Sequence, residues 1–420
     1  MISKWQWFVV QASRMLWVRA ALFALLGVGA ALLATLSDRL WPGEAPVDIG
    51  ADAVGVILGI LASSMLAVTT FSLTVMVSTY GMATANITPR ATRLLLQDTT
   101  SQNVLGTFLG SFLFSLVGII ALNTEIYGEK GRMVLFIFTM LVILVIVITM
   151  LRWIDHLSSF GRMADAAGRV ENVILKALRS RADNPRNGTS ILYDPQRDIP
   201  PSAKAIHPSM TGYIQHIDIE KLSAWAEKHD GQVFLIRIAG SFVHPLEPIA
   251  WVMSTAVDAP QELASAVTIG ALRSFDQDPR FGIEVLAEIA SRALSPAVND
   301  PGTAIDVLGR AVRILSHWAD ETATATEPMG TMRCSRVHVP PLLLDDLFAD
   351  IFTPIARDGA AMVEVQVRLQ KSLKMLAGYG GEFFVSASKY SAMALARAEL
   401  AMPFEDDRFR LRSLASQLGS

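Results

Sequence analysis

The chain has 420 residues, 51% of them hydrophobic and only 18% charged, which is too long for one ordinary domain and too apolar for an average soluble protein. A formal net charge of -3, with no basic run interleaved with aromatics, argues against a nucleic-acid-binding surface. The single cysteine, Cys334, cannot form an intramolecular disulfide and has no CxxC partner, which fits a reducing compartment and a small apolar filler.

The apolar excess is concentrated before residue 155. Windows near 16–36, 104–123 and 133–153 have the roughly 20 nearly uncharged residues that cross a hydrocarbon core about 30 Å thick. A longer run near 53–80 is rich in small residues, and all four windows are expected to span. The N-terminus offers Lys4, Arg14 and Arg19 with no acid, and Asp38, Glu44, Asp48 and Asp52 follow the first window against Arg39 alone. Arg90 and Arg93 follow the second window, and Arg152, Arg162 and Arg169 follow the fourth. This bias predicts a multi-pass protein of a bacterial inner (plasma) membrane with both termini cytoplasmic. The length of the first run and the three spans after it argue against a cleaved secretory signal.

The second window differs from the others. Ser63, Ala67, Thr70, Thr74 and Ser78 recur at three- to four-residue steps, so they form one small, hydroxylated stripe on a helix face. Ser63, Thr70, Thr74 and Ser78 are therefore candidate pore-lining residues, although close packing of membrane helices uses the same residue types. No Asp, Glu, Lys, Arg or His lies well inside any window, which argues against a proton-coupled pump but permits a pore lined by hydroxyls. Thr88-Pro89 reads as an N-cap and first helical residue of a short helix to Gln97, which sets Arg90 and Arg93 at the inner surface near anionic headgroups.

Residues 155–211 read as a helical connector, periodic over 160–181, and then a linker with four prolines between Pro185 and Pro201. Strands are expected only after it, at 212–218 and 232–239, with a short helix at 219–229 between them. The Gly240–Ala250 turn is spaced like the tight hairpins of small lipoyl-like barrel modules, so a small β-barrel or hairpin subdomain is expected over 212–254. No lysine sits where such a carrier would hold a cofactor.

Two helices then start by one device: Asp278-Pro-Arg-Phe-Gly-Ile-Glu-Val-Leu286 and Asp300-Pro-Gly-Thr-Ala-Ile-Asp-Val-Leu308 each place an Asp cap before a proline. With the connection 291–300, this region collects Arg273, Asp276, Asp278, Arg292, Asn299 and Asp300 as a candidate ligand loop for a hard cation or a phosphate group. Asx turns and helix caps draw on the same residue types. Helices at 342–352, 355–376 and 386–402 are expected to break at Thr353-Pro354, Gly378–Gly381 and Pro403 and to serve packing or oligomerisation. The histidines are scattered singly, and no HExxH, GxSxG, phosphate-binding or dinucleotide-binding motif occurs. No catalytic residue, metal or cofactor is indicated, and the chain is not read as an enzyme.

The run Ala290-Ser-Arg-Ala-Leu-Ser-Pro-Ala-Val-Asn-Asp-Pro-Gly-Thr-Ala304 resembles a motif of the bacterial predicted membrane proteins called the domain-of-unknown-function 2254 family. The hydroxyl-rich second helix running into Asn86-Ile-Thr-Pro-Arg90 is similar to that pattern too. So are Gly212-Tyr-Ile-Gln-His-Ile-Asp218, the Gly240–Ala250 turn and Arg273–Gly282, all in the same order. Ala297 stands where family members often have glycine. The resemblance implies a multi-pass inner-membrane architecture and carries no catalytic residue.

The resulting expectation is a polytopic α-helical membrane protein. Four transmembrane helices fill 1–154, a connector and linker follow at 155–211, and a C-terminal cytoplasmic α+β domain with a small β subdomain and several helices occupies 212–420. Its expected role is that of a homo-oligomeric channel or transport-related protein, with the bilayer, further copies and a small ligand or ion as partners and no nucleic acid. The alternative is a membrane-anchored ligand-sensing or scaffolding protein without transport activity.

Overall fold

A computed structural model describes residues 18, 21–29, 32, 51–86, 88–96, 98–124, 129–159, 163–186, 189–254, 259–324 and 334–418. The chain forms two compact units that divide between Asp165 and Ala166.

In the N-terminal unit, α1 (Ala51–Asn86), α3 (Thr99–Asn123) and α4 (Glu129–Ser159) are each long and apolar enough to cross a membrane. They contain the three expected windows; α1 and α4 extend theirs at both ends, and α3 extends its own at the N-terminal end. Of the window 16–36, only residues 18, 21–29 and 32 are described. Within it, residues 21–29 are helical and approach α3 closely: a Cβ on Gly110 would meet the Phe23 carbonyl oxygen at 2.7 Å. The short helix α2 (Pro89–Leu96) starts as expected, with the Ala91 N–H donating to Thr88 Oγ1 at 3.2 Å.

Helix α3 is the central element, because 61% of its most apolar stretch is buried against 17% for α1 and for α4. Its glycines and serines let neighbours close in, and Phe108 and Phe114 fill the space between. Leu58, Phe114 and Leu135 form one cluster; Met65, Phe108, Ile146 and Trp153 form the next. In a bilayer such helices are held by close packing and not by exclusion of water. Asp98 caps α3 by accepting from the Ser101 N–H at 2.8 Å and its hydroxyl at 2.6 Å, and it lies 2.9 Å from His156 Nε2 near the end of α4.

The C-terminal unit follows along α5 (Met163–Arg186). The expected proline-rich linker contributes structure instead: β1 (Ser190–Ile191), α6 (Pro195–Asp198) and β2 (Lys204–Ile206). Pro195 takes the first position of α6, Pro200 and Pro201 lie in the turn before β2, and Pro185 lies in the last turn of α5, so none costs a ladder hydrogen bond, while Ile206 is driven into the core.

The 212–254 segment supplies β3 (Gly212–Ile217), α7 (Ile219–Lys228), β4 (Gln232–Leu235), β5 (Phe242–Val243) and β6 (Ala250–Met253). It is not a self-contained barrel or hairpin module. After α8 (Ala259–Ala264) comes β7 (Val267–Gly270), and β8 (Val337–Val339) lies far along the chain. The strands divide between a five-stranded sheet of order β1-β8-β4-β6-β2 and a three-stranded sheet of order β5-β3-β7. β8 inserts between β1 and β4, parallel to both, and the other pairs are antiparallel. Val233, Phe234 and Leu235 of β4 are all buried, the mark of a central strand covered on both faces. Ile214, Trp225, Val233, Val252 and Val337 meet in one core, and Cys334 is buried there.

The rest is helical: α9 (Pro279–Ala293), α10 (Pro301–Thr324), α11 (Leu344–Asp358), α12 (Val363–Ala377), α13 (Gly381–Ala401) and α14 (Glu405–Ser416). Helix α11 runs through Pro354 and does not break there, because Ile351, Phe352 and Ile355 are buried on its core face and hold it helical across the proline. The break moves to the turn at 359–362, where the Met362 N–H donates to the Gly359 carbonyl at 3.0 Å. The expected breaks at Gly378–Gly381 and Pro403 separate α12, α13 and α14.

Candidate functional site

Helix α1 divides into two faces. Leu58, Met65, Ser72, Met76 and Thr79 are buried, whereas Ser63, Ala67, Thr70, Thr74 and Ser78 are exposed along the opposite side. The expected hydroxyl stripe therefore exists as one continuous face, exposed among the described residues. A Cβ on Gly55 or Gly59 would touch nothing within 4 Å, which extends the open, small-residue face toward the start of the helix. The hydroxyls are satisfied along the helix: Ser63 donates to the Gly59 carbonyl at 3.0 Å, Thr70 to Leu66 at 2.9 Å and Thr74 to Thr70 at 2.9 Å. Such bonding lets a hydroxyl stand in an apolar setting at little cost and leaves its oxygen able to accept another hydrogen bond.

The candidate ligand loop does not assemble as one site. Asp278 begins α9 and Arg292 lies in its last turn, so the two groups of residues stand about 20 Å apart at a rise of about 1.5 Å per residue. At the far end, Asn299 takes a left-handed φ of 50° and donates its N–H to the Ser295 carbonyl at 2.8 Å, closing a turn. Asp300 caps α10, accepting from the Thr303 N–H at 3.1 Å and its hydroxyl at 2.5 Å. The Thr303 hydroxyl and N–H hold the Asp300 carboxyl below its ordinary range. Asp276 pairs locally with the Ser274 hydroxyl at 3.0 Å.

Around Asp278, three segments far apart in sequence do converge. The Asp278 carboxylate caps α9 through the Phe281 N–H at 3.0 Å and receives Arg273 Nε at 2.8 Å and Nη2 at 3.1 Å. Arg273 also reaches Glu284 at 2.7 Å and lies 4.9 Å from the Phe281 ring centroid. Burial alone would make Arg273 easier to deprotonate, but the bonds and charge of Asp278 and Glu284 outweigh it and raise its pKa. Gln277 clamps β3, accepting from the Ile217 N–H at 2.9 Å and donating to its carbonyl at 3.2 Å. Gly240 lies against the Asp278 carboxylate and donates its N–H to the Ile214 carbonyl at 2.8 Å.

Beside this assembly, Arg181 of α5, Ser180, Gln277, Ile217, Ala239 and Val339 line a cavity of about 30 Å³. Arg181 and Gln277 are absent from the sequence-derived set of candidate residues. Arg181 lies in an ordinary amphipathic helical stretch, and no local pattern marks its contact with Pro340 more than a hundred residues later.

Residues 13–375 match the protein family described as "Predicted membrane protein (DUF2254)". The chain belongs to this family. The match takes in the stripe on α1, β3, Gly240 and the Arg273–Gly282 run, and it makes α1, α3 and α4 helices of a membrane protein. The chain is similar to the uncharacterized protein MT1328 of Mycobacterium tuberculosis (strain CDC 1551 / Oshkosh) and to the uncharacterized protein Mb1321c of Mycobacterium bovis. Each is 28% identical over 288 residues, covering 65% of this chain and 53% of the relative. The match thus spans about half the length of these relatives. No solved structure matches the chain.

Proposed function

We propose that this DUF2254 member is a homo-oligomeric membrane protein that conducts a small solute or ion along the hydroxylated face of α1, between copies of the chain. The observation that supports this reading is the exposure of Ser63, Thr70, Thr74 and Ser78 on a face that no described residue of its own unit covers. Small residues let helices of neighbouring copies approach closely, and hydroxyl oxygens replace part of a hydration shell without a fixed charge. The C-terminal unit serves assembly or gating, and the arginines near the ends of the apolar helices support its placement in the cytoplasm of a bacterial cell.

Cross-linking tests the assembly. Cys334 is buried, so a cysteine introduced at Thr70 or Thr74 is the principal reactive thiol. Thr74→Cys is expected to form cross-linked dimers in membranes, whereas Ile148→Cys, on the exposed side of α4, is not. Equal, low cross-linking of the two would overturn the proposal. A second reading, ligand sensing by the C-terminal unit, draws on the part-buried guanidinium of Arg181.

A further inference from the structure

We propose that the cavity at Arg181 is a binding site for a single oxyanion group, the phosphate or carboxylate end of a small molecule. This site is independent of conduction and stands whether or not the chain forms a pore.

Several arginines of this unit are neutralised by carboxylates. Arg273 meets Asp278 at 2.8 Å, Arg280 meets Asp350 at 2.8 Å, and Arg310 and Arg313 both meet Glu171 at 2.7 Å. Arg181 is different. Its Nη2 donates to the Pro340 carbonyl at 2.6 Å, and no carboxylate among the described residues lies within ion-pair distance of it. The carboxylate whose charge reaches it, Asp278, is already committed to Arg273 and to the Phe281 N–H. Burial lowers the Arg181 pKa to about 10 against the opposing pull of Asp278, so the positive charge there is under-compensated.

The space beside the guanidinium suits the missing partner. The cavity of about 30 Å³ is walled by Leu235, Ala239, Ile217 and Val339 and has Ser180 and Gln277 at its polar side. A single water needs about 10–15 Å³ of such space, so the cavity has room for one group larger than a water and leaves the body of the ligand at the mouth. Ile217 needs nothing from a ligand, because Gln277 occupies both its N–H and its carbonyl. An oxyanion bound there makes charge-assisted bonds to a planar guanidinium in apolar surroundings, where they are strong.

The test is thermal melting of the purified full-length protein in detergent, at fixed ionic strength, with inorganic phosphate, acetate or chloride. Phosphate or acetate is expected to raise the melting temperature by a few degrees above the chloride control, as mass action requires of a ligand bound only by the folded state. Arg181→Gln is expected to weaken that binding by about tenfold or more, the loss typical of a charged hydrogen bond. Ala239→Val narrows the cavity with the guanidinium intact and is expected to weaken it too, so the question stays decidable if Arg181→Gln fails to fold. Short-chain phosphatidate in place of inorganic phosphate separates a lipid headgroup from a soluble ligand. Identical melting in all three salts, or a shift that survives both substitutions, would overturn the site.

Discussion

The carboxylate of Asp278 fills the space that a side chain on Gly240 would occupy. Gly240 also holds a left-handed φ of 92°, so two independent constraints exclude any larger residue. Alanine there costs roughly 1–2 kcal/mol of backbone strain and displaces the buried partner of Arg273, which on its own costs about 3 kcal/mol. Gly240→Ala is expected to lower the melting temperature by about 10 °C or more. A variant that melts with the wild type would show that the turn and the ion pair are not coupled.

Gly282 makes a second close approach, this time between helices α9 and α5. A Cβ on Gly282 would collide with Cγ1 of Ile174, which is 1% exposed and has no room to withdraw. Helix propensity alone favours alanine over glycine by about 1 kcal/mol, but overpacking at a buried contact costs about 1–3 kcal/mol. Gly282→Ala is therefore expected to be net destabilising. The discriminating measurement is a double-mutant cycle. In the Ile174→Ala background the same change should become neutral or stabilising, and simple additivity would contradict the contact.

Acid sensitivity follows from His338. Its ring stacks on Phe234 with centroids 4.4 Å apart, and its Nε2 is buried with no hydrogen-bond partner among the described residues. Burial holds its pKa below the ordinary histidine value of about 6.5, against the pull of Asp198. The unfolded chain thus takes up a proton near pH 6.5 and the folded chain only at lower pH. The neutral ring's contribution is complete above pH 6.5 and is lost as the pH falls through the interval between the two values. Melting measured from pH 8 to 5 should decline more steeply in the wild type than in His338→Phe; parallel curves would contradict the assignment.

Much of the helical architecture was legible in the sequence, because the three described long helices announce themselves by continuous apolar runs, and Thr88, Asp278 and Asp300 cap the helices they precede. Pairing was not legible. Alternation marks Gly212–Ile217 as a strand but cannot say that Val337–Val339, more than a hundred residues later, will lie between β1 and β4. The same limit divided the candidate ligand loop. Arg273 and Asp278 meet because a short turn joins them, while Arg292 and Asn299 are carried away by the length of α9. Arg181 reaches Pro340 only through tertiary packing, and local sequence holds no trace of that.

The central claim is that the outward hydroxyl face of α1 is a conducting surface between copies of this chain. Its most direct test is ion flux through the purified protein in liposomes, with the subunit count taken from the same preparation and Thr70→Leu and Thr74→Leu compared with the wild type. The account predicts flux from a closed oligomer and a changed flux in both variants, with melting temperatures unchanged. A tight, silent wild-type preparation, or flux unaffected by either leucine, would contradict it.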